Sequence, residues 1–154
     1  MFIRYPMHKN ILSLISLLLL LSSCQNPKNA VPEEEAQIIE TLQLETQYFC
    51  ERKLAEWQNQ WTHESYVSKM YAGKIGFEEF TNWEEIYQFT VDHINEFPDP
   101  IPIPESDQAY TVELFGETAF VFYTKEGEEG PVRETRFMVK EGDKWRIARM
   151  QTIY

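Results

Sequence analysis

The sequence predicts an α+β fold: a cone-shaped, curved antiparallel sheet packed against helices that precede it. Three observations carry this. The last third of the chain reads as four strands, at 109–114, 118–124, 132–140 and 144–154. Their joints, Phe115-Gly116-Glu117, the stretch 126–131 and Glu141-Gly142-Asp143, hold the residue types that turns select. Short turns force successive strands antiparallel, and such a meander cannot stand alone in water, so upstream helices must cover one face.

The first of those helices is expected over 33–60. Pro32 and the acids Glu33, Glu34 and Glu35 mark its start, with negative charge at the positive end of the helix dipole. Ile39, Leu42, Phe49, Leu54, Trp57 and Trp61 recur at helical spacing along it. Residues 65–72 alternate loosely and read as a short edge strand. Residues 73–76 read as a turn, and 77–80 as a helical turn or loop. Asn82 is a fair N-cap for a second long helix, with Glu85 where a capping box wants it. Trp83, Ile86, Tyr87, Thr90, Ile94 and Phe97 give that helix an apolar face. Pro98-Asp99-Pro100 stops it, leaving 101–104 extended.

At 154 residues the chain suits one domain plus an N-terminal extra. The start is basic, with Arg4, His8 and Lys9, then almost wholly Leu and Ile over 11–21, then Leu21-Ser22-Ser23-Cys24. A basic stretch, an apolar run too short to span a bilayer comfortably and a small-residue exit make a secretory signal. The Leu-Ser-Ser-Cys ending resembles the lipobox of bacterial lipoproteins. By that resemblance residues 1–23 are a signal peptide, and Cys24 becomes the first residue and carries the lipid. The lack of Asp after it implies the outer membrane. Residues 24–34, rich in Asn, Pro, Lys and Glu, form a tether, and 35–154 the folded domain. With Cys24 lipidated, Cys50 has no partner for an internal disulfide and is expected as a small buried apolar group. Removing Arg4 and Lys9 leaves twelve bases against 25 acids. So acidic a domain repels nucleic acid and anionic lipid, and nucleic acid is not expected as a partner.

The element order helix, short strand, helix and meander resembles the nuclear transport factor 2-like superfamily, with its polyketide-cyclase-like (SnoaL-like) and steroid-isomerase-like branches. The sharpest local similarity is Glu134-Thr135-Arg136, the Glu141-Gly142-Asp143-Lys144-Trp145 turn and Ile147, which resemble the end of the calcium/calmodulin-dependent kinase association domain. The resemblance implies a cone whose open end holds a ligand or partner, and a homodimer through the outer sheet face. It places Arg136 where that domain has a cavity-facing arginine, and Arg149 and Gln151 where it has paired histidines. The loss of both histidines argues against acid–base chemistry there.

Chemistry read from the residues is sparse. Asp92, Asp99, Asp107 and Asp143 are the available aspartates, and none falls at a plainly inward strand position for a general base. Of the histidines beyond the signal, His63 and His93 stand thirty residues apart without a helix-spaced second ligand, so no metal site is expected. No strained serine elbow or phosphate-cradling glycine loop occurs, and no cofactor is expected. Strand alternation puts Glu134, Arg136 and Met138 in one row and Trp145, Ile147, Arg149 and Gln151 in another. The competing reading pairs Arg136 and Arg149 with Glu134 or Glu113 on the outer face, and packs Trp57, Trp61 and Tyr87 as plain core.

Two functional readings stand. In the first, a lipid-anchored envelope protein binds a small, partly apolar ligand, acidic ones included, or a peptide, through Arg136, Arg149, Gln151, Trp57, Trp61, His63, Tyr87 and His93. In the second, a small cofactor-independent enzyme of the cyclase, isomerase or hydratase kind uses His63 or His93 as base. The lack of an inward carboxylate favours the first.

Overall fold

The computed structural model describes residues 32–104, 108–127 and 130–154. Cys24, its signal and the tether to residue 31 lie outside the described residues, as does Asp107. Among the described residues no helix is long and apolar enough to cross a membrane.

Helix α1 (Glu33–Cys50) opens on its three acids behind Pro32 and buries Ile38, Leu42 and Cys50. The single helix expected over 33–60 is two. Arg52 takes a left-handed backbone, φ 62°. The Lys53 amide donates to the Tyr48 carbonyl at 2.8 Å, and the Arg52 amide to that of Phe49 at 3.1 Å. This is the Schellman ending of a helix, with arginine at the position that usually holds glycine. The Arg52 guanidinium compensates by donating to the Phe49 and Asp99 carbonyls, each at 3.1 Å. Helix α2 (Leu54–Gln58) then restarts on a new heading, and Trp57 and Trp61 enter the core.

Strand β1 (Ser68–Gly73) forms where a strand was expected, but it is not an edge. It lies between β2 (Gly76–Phe80) and the last strand, to which it is parallel. Residues 77–80 are therefore strand rather than helical turn. Their amides pair with β1 from Lys69↔Phe80 to Gly73↔Gly76, and Gly76, at φ 145°, permits the tight reversal. Helix α3 (Trp83–Glu96) is capped as read: Asn82 Oδ1 accepts from the Glu85 amide at 3.0 Å, and Glu85 reaches back to the Thr81 amide at 2.9 Å.

The meander is β3 (Thr111–Phe115), β4 (Thr118–Gly127), β5 (Gly130–Glu141) and β6 (Lys144–Ile153). The six-stranded sheet runs β2-β1-β6-β5-β4-β3. Its inner face carries Ala119, Val121, Met138, Trp145, Ile147 and Met150 against Ile38 and Leu42 of α1, the two tryptophans, and Ile86 of α3.

One irregularity decides which side chains share a face. Phe137 pairs with Arg149 but Met138 pairs with Ile147, so Ala148 is an extra residue in β6. Such a bulge resets the alternation. Trp145 and Ile147 point inward before it. After it Met150 and Thr152 are buried while Arg149 is exposed. The row expected from Trp145 to Gln151 is thus broken in the middle, and Arg149 and Gln151 belong to the outer face.

Trp145 packs inward beside Gln37, Thr41 and Leu44 of α1, 2% exposed, and its indole N–H finds no partner among the described residues. Trp145→Ala should cost about 3–5 kcal/mol in chemical denaturation. Trp145→Phe, which also deletes an unsatisfied donor, should cost much less. Equal losses for the two variants would contradict this packing.

Candidate functional site

The interior of the cone is charged. Strand β5 sends Glu134 and Arg136 inward two residues apart, with exposures of 0% and 3%. The Arg136 guanidinium donates from Nη1 to Glu134 Oε2 and lies 5.8 Å above the Tyr123 ring. Lys125 of β4 brings its ammonium to 2.6 Å from the other carboxylate oxygen, Oε1, while its side chain stays 40% exposed. Burial alone would raise the Glu134 carboxyl, but Arg136 and Lys125 outweigh it and hold it below the usual carboxylate range. Burial likewise opposes charge on Arg136, yet Tyr123 and Glu134 keep its proton on more tightly than usual. Burial pushes the Tyr123 phenol well up, so it stays protonated.

Two further charged side chains are buried. Glu45 of α1 is buried and accepts the indole N–H groups of Trp57 at 2.8 Å and Trp61 at 3.4 Å. Lys69 of β1, 4% exposed, holds its ammonium 5.3–5.9 Å from the ring centres of Trp57, Trp61, Tyr71 and Phe89. Four aromatic faces stand in for water around a cation that forms no ion pair among the described residues. Burial, with Arg136 adding to it against Glu45, brings the Lys69 ammonium down to about 8.

The cone opens beside this cluster. A cavity of about 270 Å³ has Gln43, Thr46 and Gln47 of α1 on one wall. Tyr110, Tyr123, Ile103 and Pro104 form the others, and Lys125 and Arg136 lie at the cationic end. The two tyrosine rings sit 5.0 Å apart and tilted by 59°. The Arg136 Nε–H has no partner among the described residues. A buried, charged donor left unpaired is costly, and it borders a cavity of ligand size.

The other residues singled out in the sequence do not gather at this mouth. Trp57 and Trp61 are core, holding Glu45 and Lys69. Tyr87 packs against Trp83. His63 stacks on Trp83 at 3.8 Å near the Gln58 carbonyl, and His93 lies between Phe49 and Phe97. Arg149 and Gln151 line a separate groove of about 700 Å³ on the outer face, walled by Met70, Phe120, Phe137 and Val139. The expectation that no carboxylate points inward is corrected twice, by Glu134 and by Glu45, both glutamates where only aspartates had been weighed. Arg136 does pair with Glu134, but inside the cone rather than on its outer face. Sequence reasoning missed Lys125 and Tyr123, although they alternate with Val121 and Ala119 on β4, and that parity was legible. Lys69 and Glu45 carried no signal, since a lysine in a strand and a glutamate in an acidic helix are ordinary surface residues. Among the described residues no three His, Cys, Asp or Glu side chains gather as metal ligands.

The Lys69 cage has a pH signature. Its ammonium titrates near 8 when folded and near 10.5 when exposed, so between these values the unfolded chain binds more protons. Wild-type stability should therefore rise through this window relative to Lys69→Met. The stability advantage of the methionine variant at about pH 7.5 should shrink by about 2–3 kcal/mol by about pH 10. A gap that ignores pH would place the ammonium in water.

No protein-family model and no curated protein matches the chain. Solved structures do. An NTF2-like protein of unknown function from Shewanella oneidensis is 15% identical with a TM-score of 0.55, over 79% of this chain and 99% of that one. A cystatin-like fold protein from Burkholderia xenovorans gives 16% and 0.60, over 79% and 92%. An NTF2-like protein of unknown function from Methylobacillus flagellatus gives 12% and 0.58, over 81% and 94%. At these identities the likeness concerns architecture. The chain has the nuclear transport factor 2-like, or cystatin-like, α+β fold.

Proposed function

We propose that this protein is a binding module, tethered to the bacterial cell envelope through a lipid on Cys24, whose cone mouth holds a small, partly apolar anionic ligand. The observation that carries the reading is the buried Arg136 guanidinium, which donates one N–H to Glu134, has an Nε–H without a partner among the described residues, and belongs to a residue lining an aromatic-walled cavity. A ligand carboxylate supplies the acceptor that this donor lacks, by a charge-assisted hydrogen bond. The enzymatic reading draws less support, because His63 and His93 stand apart from the mouth and from each other.

Removing Arg136 alone would leave the fully buried Glu134 with the half-exposed Lys125 as its charged partner among the described residues, so the informative variant removes both charges. Glu134→Met/Arg136→Met replaces a buried pair by apolar groups of similar volume, an exchange that is often neutral for stability. Native mass spectrometry of the full-length protein, purified in detergent from its own cell, should show a small-molecule adduct on the wild type that the double variant lacks. An adduct retained by a folded double variant would defeat the assignment of the mouth.

The anchor is tested separately. Cys24→Ala should leave a precursor that takes up no labelled fatty acid and no longer fractionates with membranes. Acylation of that variant would rule the lipobox out.

A further inference from the structure

We propose that the ligand of the mouth is a flat aromatic monocarboxylate carrying a second polar group, selected over dianions and over neutral analogues; this rests on the mouth being the binding site. Charge sets the first half. Among the described residues the cone and its mouth hold three cations, Lys69, Lys125 and Arg136, against two carboxylates, Glu45 and Glu134. Both oxygens of Glu134 already face cations, and Glu45 is engaged by two indole N–H groups. One positive charge is left over, and one negative charge completes the set. A second would find no further cation among the described lining residues and would meet the field of both buried glutamates. A neutral amide of the same shape can offer its carbonyl to the Arg136 donor but leaves the surplus cation without a counter-charge.

Shape sets the other half. The cavity of about 270 Å³ is ample for a single ring with short substituents. Tyr110 and Tyr123 offer tilted ring faces on one side, with Ile103 and Pro104 among the other apolar groups. Aromatic bodies bury well against such walls and prefer offset or tilted contacts. The α1 wall is different: Gln43, Thr46 and Gln47 present amides and a hydroxyl, which donate and accept alike. A molecule with its carboxylate on Arg136 and Lys125 reaches that wall with a hydroxyl or carbonyl. Lys69 and Glu45 do not line the mouth; they act through the charge count and through the position of Arg136.

Titration calorimetry on the full-length protein in detergent, at about pH 7, tests this with three probes of one size: 4-hydroxybenzoate, 4-hydroxybenzamide and phenyl phosphate. The benzoate should bind at least tenfold more tightly than either of the others, and Glu134→Met/Arg136→Met should erase that preference. Equal binding of the benzamide would overturn the charge argument while leaving the mouth a binding site. Tighter binding of the phosphate would overturn the single-charge count in the same way. If no probe binds but the natural adduct persists by mass spectrometry, the aromatic class is wrong and the binding-module reading stands. If neither probe nor adduct is seen, both readings fall.

Discussion

A carboxylate with no exposed surface, in the middle of a sheet, is the constraint on which this interior turns. Glu134 cannot be left alone there, because an unpaired buried charge is costly. The fold answers it from two directions: Arg136 from two positions along the same strand, and Lys125 from the neighbouring one. Each answer has consequences. Arg136 is held over Tyr123, and its Nε–H is left without a partner among the described residues. Lys125 must lie along the mouth to reach the acid, so the rim of the cavity becomes cationic in a chain of net charge −11. The polarity of the site is thus a by-product of satisfying one glutamate.

What could be read in advance followed the periodicities. The four-stranded meander, the Asn82 cap and the tryptophan pair all announce themselves, because turn residues, capping spacing and apolar stripes are local signals. Three features were not announced. Arg52 adopts a conformation that glycine would have advertised, so the break in the first helix was invisible. The short strand at 76–80 is acidic and exposed, and only pairing with β1 makes it a strand. The bulge at Ala148 has no signature in an alternating sequence, yet it moved Arg149 and Gln151 to the far side of the sheet. Arg136, on β5, stays in the row that parity gives it with Glu134 and Met138, whereas Arg149 and Gln151, beyond the bulge, leave the row of Trp145 and Ile147.

The same alternation separates two environments across one layer. Inward, Glu134, Arg136 and Lys69 are dry and answered by one another or by aromatic rings. Outward, the rings of Phe120 and Phe122 stack at 6.1 Å and Phe120 meets Phe137 at 5.0 Å, on a face that no described helix covers. A sheet usually hides its aromatics and shows its charges. Here the central strands do much of the reverse, which is tolerated because Glu134 and Arg136 are paired and Lys69 is enclosed by aromatic rings.

The parallel seam between β1 and β6 also has a consequence in time. β1 and β2 form a local hairpin, but the remaining edge of β1 waits for the last strand in the sequence, some eighty residues later. Until β6 arrives, Trp57, Trp61 and Lys69 have no sheet to close over them, since Ile147 and Met150 are part of their enclosure. Closure across such a separation is slow compared with forming helices or hairpins. The contacts that close over Trp57 and Trp61 therefore include ones of long sequence separation. Among the described residues, the strand that completes the core is the one that lies last in the sequence.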